Sequence, residues 1–289
     1  MNLYFPYTRI NLLAVSISLF LAFGPIGSFA QKIDKGLVKK FLGSQEIYIP
    51  SNRMNIKTCI TSNGDSISLL SLVTKYWPNK KVIYIDENQY NMRDDVSKLF
   101  HISIYQYDIS YSNPGMGVYI SDFWYGVIVQ RGKTGRHTSK ALYGIILNYP
   151  EIENNILAER LEYSVKSLQD VLYHFKDGDQ GRGSYKTEYI REILSTCTLY
   201  VKQSQLESSI SEPQGFAGAY KYDFKIVTDE EWAEVVRSSK ANSAFIEFIG
   251  NEYGGTIIYK ADDGKLLAQR YPWINYHGKM KASIIRKTT

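Results

Sequence analysis

The sequence predicts a mixed fold, α/β to α+β, on three observations. Strand-like and helix-like apolar patterns alternate between Ile47 and Tyr107, the βαβ-like rhythm of an α/β N-terminal portion. Residues 151–175 carry a long amphipathic helical stripe. The last third holds short strands joined at Asp263-Gly264, so an α+β C-terminal portion with an antiparallel hairpin is expected.

The chain opens on a secretory signal pattern. Arg9 is the only charged residue before Lys32, and an apolar run from Ile10 to Phe23 follows it. Gly24-Pro25 ends any helix, and Ser28-Phe29-Ala30 supplies the small residues that a signal peptidase reads. A membrane anchor needs about twenty apolar residues, and this run is shorter. Residues 1–30 are therefore expected to be a signal peptide, cleaved on export to the periplasm or the cell exterior. No membrane span is expected after cleavage. No Cys stands at the cleavage point, so a lipid anchor is not indicated.

After the signal, Lys32–Gly43 is short, basic and weakly amphipathic, and Ile47-Tyr48-Ile49 reads as a strand stopped by Pro50. A helix capped by Asp65 or Ser66 is expected to carry Ile67, Leu70, Leu72, Val73 and Trp77, ending at Pro78. Lys81–Ile85 is a continuous apolar strand, and a short helix starts at Asn91 or Asp94. Ile102–Tyr107 alternates as a strand, and Val118–Val129 forms one long or two short strands after the Ser112–Gly115 turn. In the long helix, Ile152, Ile156, Leu157, Leu161, Val165, Leu168, Leu172 and Phe175 step by threes and fours. A helix from about Thr187 to Leu194 follows, then a strand over Cys197–Val201 and a loop over Ser208–Gly215. Tyr220–Val227 alternates as a strand. Thr228 caps the next helix, with Glu231 at the capping-box position. Phe245–Ile249, Thr256–Tyr259 and Leu266–Ala268 complete the strands.

Asp177–Ser184 is rich in Gly and Asp and marks a domain boundary or hinge. The expected organisation is an α/β domain over 31–176 and an α+β domain over 186–289, with one continuous domain as the alternative. No internal repeat is evident in the sequence.

The formal charge of +5 over 289 residues is mildly basic. Nucleic-acid proteins concentrate far more Lys and Arg on one element, so no nucleic-acid partner is expected. Tyrosine is abundant, 24 residues against 12 Phe and 4 Trp, a composition that suits strands, interfaces and sugar stacking alike. The two cysteines, Cys59 and Cys197, are either a disulfide or two separate buried thiols. A bridge would close a loop of about 138 residues and stabilise by near 5 kcal/mol at most.

Several local patterns have chemical readings. Gly132-Lys133-Thr134 ends like a phosphate loop, but the nearest earlier glycine, Gly126, is one residue too far, and a basic turn explains it better. Asp177, Asp179 and Glu188 fall at positions of a calcium loop, with Arg182 where the loop needs glycine. Among nucleophile and base candidates stand Cys59, His101 and His137. The four histidines share no short spacing with each other or with Cys, so no metal or other cofactor is expected.

Aromatic clusters are the remaining lead. Strand alternation sends Phe123 and Tyr125 to one face and Trp124 to the other. Tyr271, Trp273, Tyr276 and His277 lie beside Lys279 and Lys281. Trp124, Tyr271, Trp273, Tyr276 and His277 are the expected ligand-binding residues on an aromatic and basic surface, and the expected function is non-enzymatic binding of a glycan polymer or a protein partner at the envelope. The alternative is an extracytoplasmic hydrolase whose site assembles from dispersed Cys, His and Asp residues.

Overall fold

The computed structural model describes residues 34–52, 55, 58–61, 63–113, 118–134, 139–147, 157–174, 185–249, 253–274 and 279–289. Within these, 106–113, 118–124, 139–140, 253–254 and 271–274 are described by their backbone. Helix α1 (Lys35–Gly43) starts at Asp34, whose carboxylate accepts from the Leu37 N–H, and buries Leu37, Val38 and Phe41. Strand β1 (Glu46–Ser51) follows. The strand continues through Pro50, against expectation. Beyond it the carboxamide of Asn55 stands in for main-chain pairing, donating to the Pro50 carbonyl (2.6 Å) and accepting from the Ile104 N–H (2.7 Å).

Strands β2 (Thr58–Ile60) and β3 (Ser66–Ser68) form a small antiparallel pair. The helix expected from Asp65 or Ser66 therefore begins later. Ser68 caps α2 (Leu69–Tyr76), with Ser71 completing a reciprocal capping box. Strand β4 (Lys81–Asp86) runs into α3 (Glu87–Asn91), capped by Asp86, so this helix starts earlier than Asn91. A 3-10 turn over Val96–Lys98 leads into β5 (Phe100–Asn113), β6 (Val118–Gly132) and β7 (Ser139–Leu147). Gly132 takes φ 101°, the left-handed region that favours glycine, as β6 ends. These strands make a five-stranded sheet in the order β4-β1-β5-β6-β7. β4, β1 and β5 are parallel, and β6 and β7 add antiparallel.

Helix α4 (Leu157–His174) buries the expected stripe at Leu161, Val165, Leu168 and Leu172. After the two-residue strand β8 (Tyr185–Lys186) come α5 (Ile190–Ser195) and β9 (Thr198–Lys202). The expected loop near 208–215 holds a 3-10 turn and then α6 (Pro213–Ala217). Strand β10 (Phe224–Val227) is shorter than the alternation implied, and α7 (Asp229–Arg237) has the expected Thr228–Glu231 capping box. Strands β11 (Ser243–Ile249), β12 (Tyr253–Lys260) and β13 (Leu266–Ile274) precede α8 (Ala282–Thr288). Gly264 turns β12 into β13 at φ +64°, where a Cβ would run into the Tyr163 ring. The second sheet has the order β10-β9-β11-β12-β13-β8.

The two sheets repeat one unit, which the sequence alone did not reveal. Each unit runs helix, strand, helix, parallel strand, helix, parallel strand, two antiparallel strands, helix. Ladder registers fix the correspondence. Tyr48 faces Ile83 and His101 in the first sheet, and Tyr200 faces Lys225 and Phe245 in the second. Counting on from those pairs, the caps Asp86 and Thr228 coincide, as do the buried rings Tyr90 and Trp232. Counting back, Ser44 and Thr196 coincide. Both end their helices with a hydroxyl donating to the carbonyl three residues earlier. The ladder irregularity between Val129 and Gln130 recurs between Ile258 and Tyr259. Even the Asn55 substitute recurs, since Gln205 donates to the Phe248 carbonyl and accepts from its N–H, both at 2.9 Å.

Helix α4 packs on β6 and β7 of its own sheet and against the next sheet as well. Tyr163 stacks on Phe245 and donates to the Ala261 carbonyl at 3.0 Å. One apolar cluster therefore runs from Leu37 to Leu266, with members on both sides of residues 177–185. A second cluster lies on the far face of the second sheet, under α5, α6 and α8. Cys59 belongs to the first cluster and Cys197 to the second, and both are buried. No disulfide joins them.

Candidate functional site

The β5–β6 hairpin is where the first unit departs most from the second. Tyr105 and its partner Gly126 correspond to Ile249 and Gly255. Twenty residues separate the first pair and five the second, so the first hairpin is longer by fifteen. The added length is an antiparallel ribbon whose register runs unbroken from Gln106↔Tyr125 to Asn113↔Val118. Strand β7 pairs with β6 only from Tyr125 onward, and β1 pairs with β5 at His101. Among the described residues no strand flanks the ribbon beyond those points.

Trp124, an expected binding residue, lies on this ribbon opposite Tyr107. Tyr107, Tyr111, Tyr119, Phe123, Ser110, Ser112 and Ser121 share it, and Asp108 and Asp122 are its only charged residues. Tyr271 and Trp273 lie on β13 of the other sheet, Trp273 opposite Gly254. Tyr276 and His277 fall outside the described residues.

Cys59 and His101 are not brought together. His101 is fully buried on the sheet face that carries Tyr48 and Tyr90. Its neighbours Phe100 and Ile102 turn to the opposite face, into the cluster that holds Cys59. His101 Nδ1 lies 3.1 Å from the Tyr90 hydroxyl and Nε2 3.1 Å from Gln130 Oε1, while Tyr90 also donates to the Gly132 carbonyl. Burial pushes the imidazole pKa down to about 4, with the Gln130 and Gly132 contacts opposing that in part. The second unit puts Trp232, Phe245 and Tyr259 at the three matching positions. Both sets pack a ring edge-on to the next strand, Tyr90 on His101 at 5.3 Å and Trp232 on Phe245 at 5.1 Å. His137 lies outside the described residues.

Of the calcium-loop candidates only Glu188 lies among the described residues. Asp177 and Asp179 fall outside the described residues, and Glu188 lines a shallow depression with the cations Lys186 and Arg191. That surrounding opposes a divalent ion. Among the described residues no group of His, Cys, Asp and Glu has metal-ligating geometry. Gly132-Lys133-Thr134 is a turn tied to Asn91, whose carboxamide bonds the Thr134 hydroxyl and N–H at 2.6 and 2.9 Å.

A buried ion pair lies between the units. Arg160 of α4 and Glu247 of β11 approach to 2.6 Å with side chains 0% and 1% exposed. The guanidinium also stands 4.7 Å over the Tyr259 ring. The pair lies in the packed interface of α4 with the second sheet.

Comparison with family models, curated proteins and solved structures returns no match. Among the described residues no helix is long and apolar enough to cross a membrane.

Proposed function

We propose that this is an exported, non-enzymatic binding protein that engages a glycan polymer or a protein partner through the β5–β6 ribbon, with Trp124 as an anchor. The observation that supports this reading is the fifteen-residue lengthening of one hairpin in a duplicated unit. The second unit completes the same sheet without it, so folding does not require the added length. What it adds is Tyr, Trp, Phe, Ser and Asp. Tyr and Trp supply large contact area at small entropic cost, and Ser supplies adaptable hydrogen bonding, the chemistry of recognition loops. The Tyr271–Lys281 stretch is a second candidate contact. Export rests on the signal pattern of residues 1–30.

The test replaces residues 106–124 by the short second-hairpin connection, 250–253. Purified full-length and shortened chains are sedimented with the cell-envelope fraction of the source cells, beside Trp124→Ala. Retention of the full-length chain, lost in both variants with the melting temperature unchanged, is the expected result. Equal retention of the shortened chain sinks the reading. Mass spectrometry of the exported chain tests cleavage after Ala30.

A further inference from the structure

The open side of β5 differs from the outer edges of β4 and β10. The outer strands β4 and β10 carry the exposed lysines Lys81 and Lys225, the usual guard against unwanted pairing. Where β1 and β9 stop short along their neighbours, Asn55 and Gln205 fill the ladder with carboxamides. From Gln106 to Asn113 the sequence of β5 offers no such lysine. It contains no Lys, Arg or Pro, and its register with β6 has no bulge.

Alternation tells which main-chain groups face outward. The Leu99 carbonyl accepts from Gly132, on the β6 side, and the Ile104 N–H points the other way to Asn55. Even-numbered residues of β5 therefore present N–H and C=O away from β6. Past Ile104 these are Gln106, Asp108, Ser110 and Ser112. Among the described residues no strand lies beside them.

We infer that the β5 edge of the ribbon, Gln106 to Ser112, receives an extended basic polypeptide segment as an added strand, an inference that rests on the binding reading above. Main-chain ladder bonds supply the affinity. Charge sets the preference. Asp108 and Asp122 are the only charges between Tyr105 and Tyr125, so the ribbon is acidic on a chain of net charge +5. A segment alternating Lys or Arg with apolar residues complements it.

The test uses the purified chain from Gln31 onward, with a short alternating Lys-Val peptide as probe. Its controls are the Glu-Val counterpart and the same Lys-Val peptide N-methylated at its amides. The Lys-Val peptide is expected to bind, the Glu-Val peptide not to, and N-methylation to weaken binding about tenfold or more, as loss of two or three ladder bonds predicts. Ser110→Pro removes an outward N–H without touching the β6 ladder, a place where an edge tolerates proline. It is expected to abolish binding, while Ser110→Ala leaves it intact. Asp108→Lys/Asp122→Lys is expected to invert the charge preference, a gain that misfolding cannot mimic. Equal binding of the N-methylated peptide, or none of the Lys-Val peptide, overturns strand addition. If envelope retention is lost on shortening the ribbon but survives Ser110→Pro, strand addition falls and the binding reading stands, with a glycan as the indicated partner. If shortening the ribbon changes nothing, both fall.

Discussion

Tyr90 and Trp232 occupy one position in two copies of a unit. Each is the fourth residue past a helix cap, fully buried, and edge-on to the ring at the matching place on the next strand. The ladder pair carrying that ring is Phe245–Tyr259 in the unit of Trp232 and His101–Gln130 in the unit of Tyr90. The same packing is thus built once with aromatic rings and once with a histidine network. Comparing the two copies separates what the fold needs from what one copy adds.

The histidine version makes stability pH-dependent. The folded imidazole titrates near 4 against an ordinary 6.5, so between those values the unfolded chain binds the extra proton. Its contribution is full above pH 6.5 and is lost as pH falls toward 4. That lowering corresponds to about 3 kcal/mol. Urea unfolding at pH 7, 5.5 and 4 should show that decline, and His101→Phe, which copies Phe245, should flatten it. An unchanged slope in His101→Phe would assign the acid sensitivity elsewhere.

Removing one partner of the Arg160–Glu247 pair leaves a buried charge alone. Arg160→Met or Glu247→Leu singly should cost about 3–5 kcal/mol, and the double variant should recover much of that loss. Because the pair joins α4 to β11 inside a cluster spanning both units, unfolding is expected as one transition. Additive single and double effects in a denaturant series would show the two residues to be uncoupled.

The carboxamides that finish the ladders predict matched losses. Asn55→Leu leaves the Ile104 N–H unpaired and takes one of two donors from the Pro50 carbonyl, which keeps the Asn52 N–H, at a cost of about 1–3 kcal/mol. Gln205→Leu removes both its bonds to Phe248, with a smaller loss because Gln205 is half-exposed and water reaches the gap. Amide hydrogen exchange at Ile104 and Phe248 should rise in the respective variants. Unchanged protection would mean that the side chains do not close the ladders.

Local signals were legible in the sequence where one residue or one period decides the structure. Thr228 with Glu231, the Asp263-Gly264 turn and the Leu161–Leu172 stripe all appear as expected. The start of α2 was not legible, because Ser66–Ser68 pairs with Thr58–Ile60 and that pairing outweighs the nearer caps. Nor was the second buried side of α4, where Arg160, Tyr163 and Ser164 meet the other sheet although their chemistry reads as surface. The duplication was hidden because few side chains survive it. Ile47-Tyr48-Ile49 against Leu199-Tyr200-Val201, and Gly126–Gly132 against Gly255–Ala261, are its main traces. Element order carried the signal, and lining up the two orders would have exposed the ribbon around Trp124 as an insertion. Cys59 and His101 looked like a catalytic option only because chain order hides which sheet face each occupies.

The two thiols give the last prediction. Cys59 and Cys197 sit in separate clusters, and burial pushes the Cys197 thiol above its ordinary pKa, which lowers its reactivity. A thiol reagent at neutral pH should label neither cysteine in the folded chain and both after denaturation. The melting temperature should be the same with and without reductant, since no bridge restrains the unfolded chain. A drop of several degrees on reduction would require Cys59 and Cys197 to pair across the second sheet, and the separation of the two clusters would then be wrong.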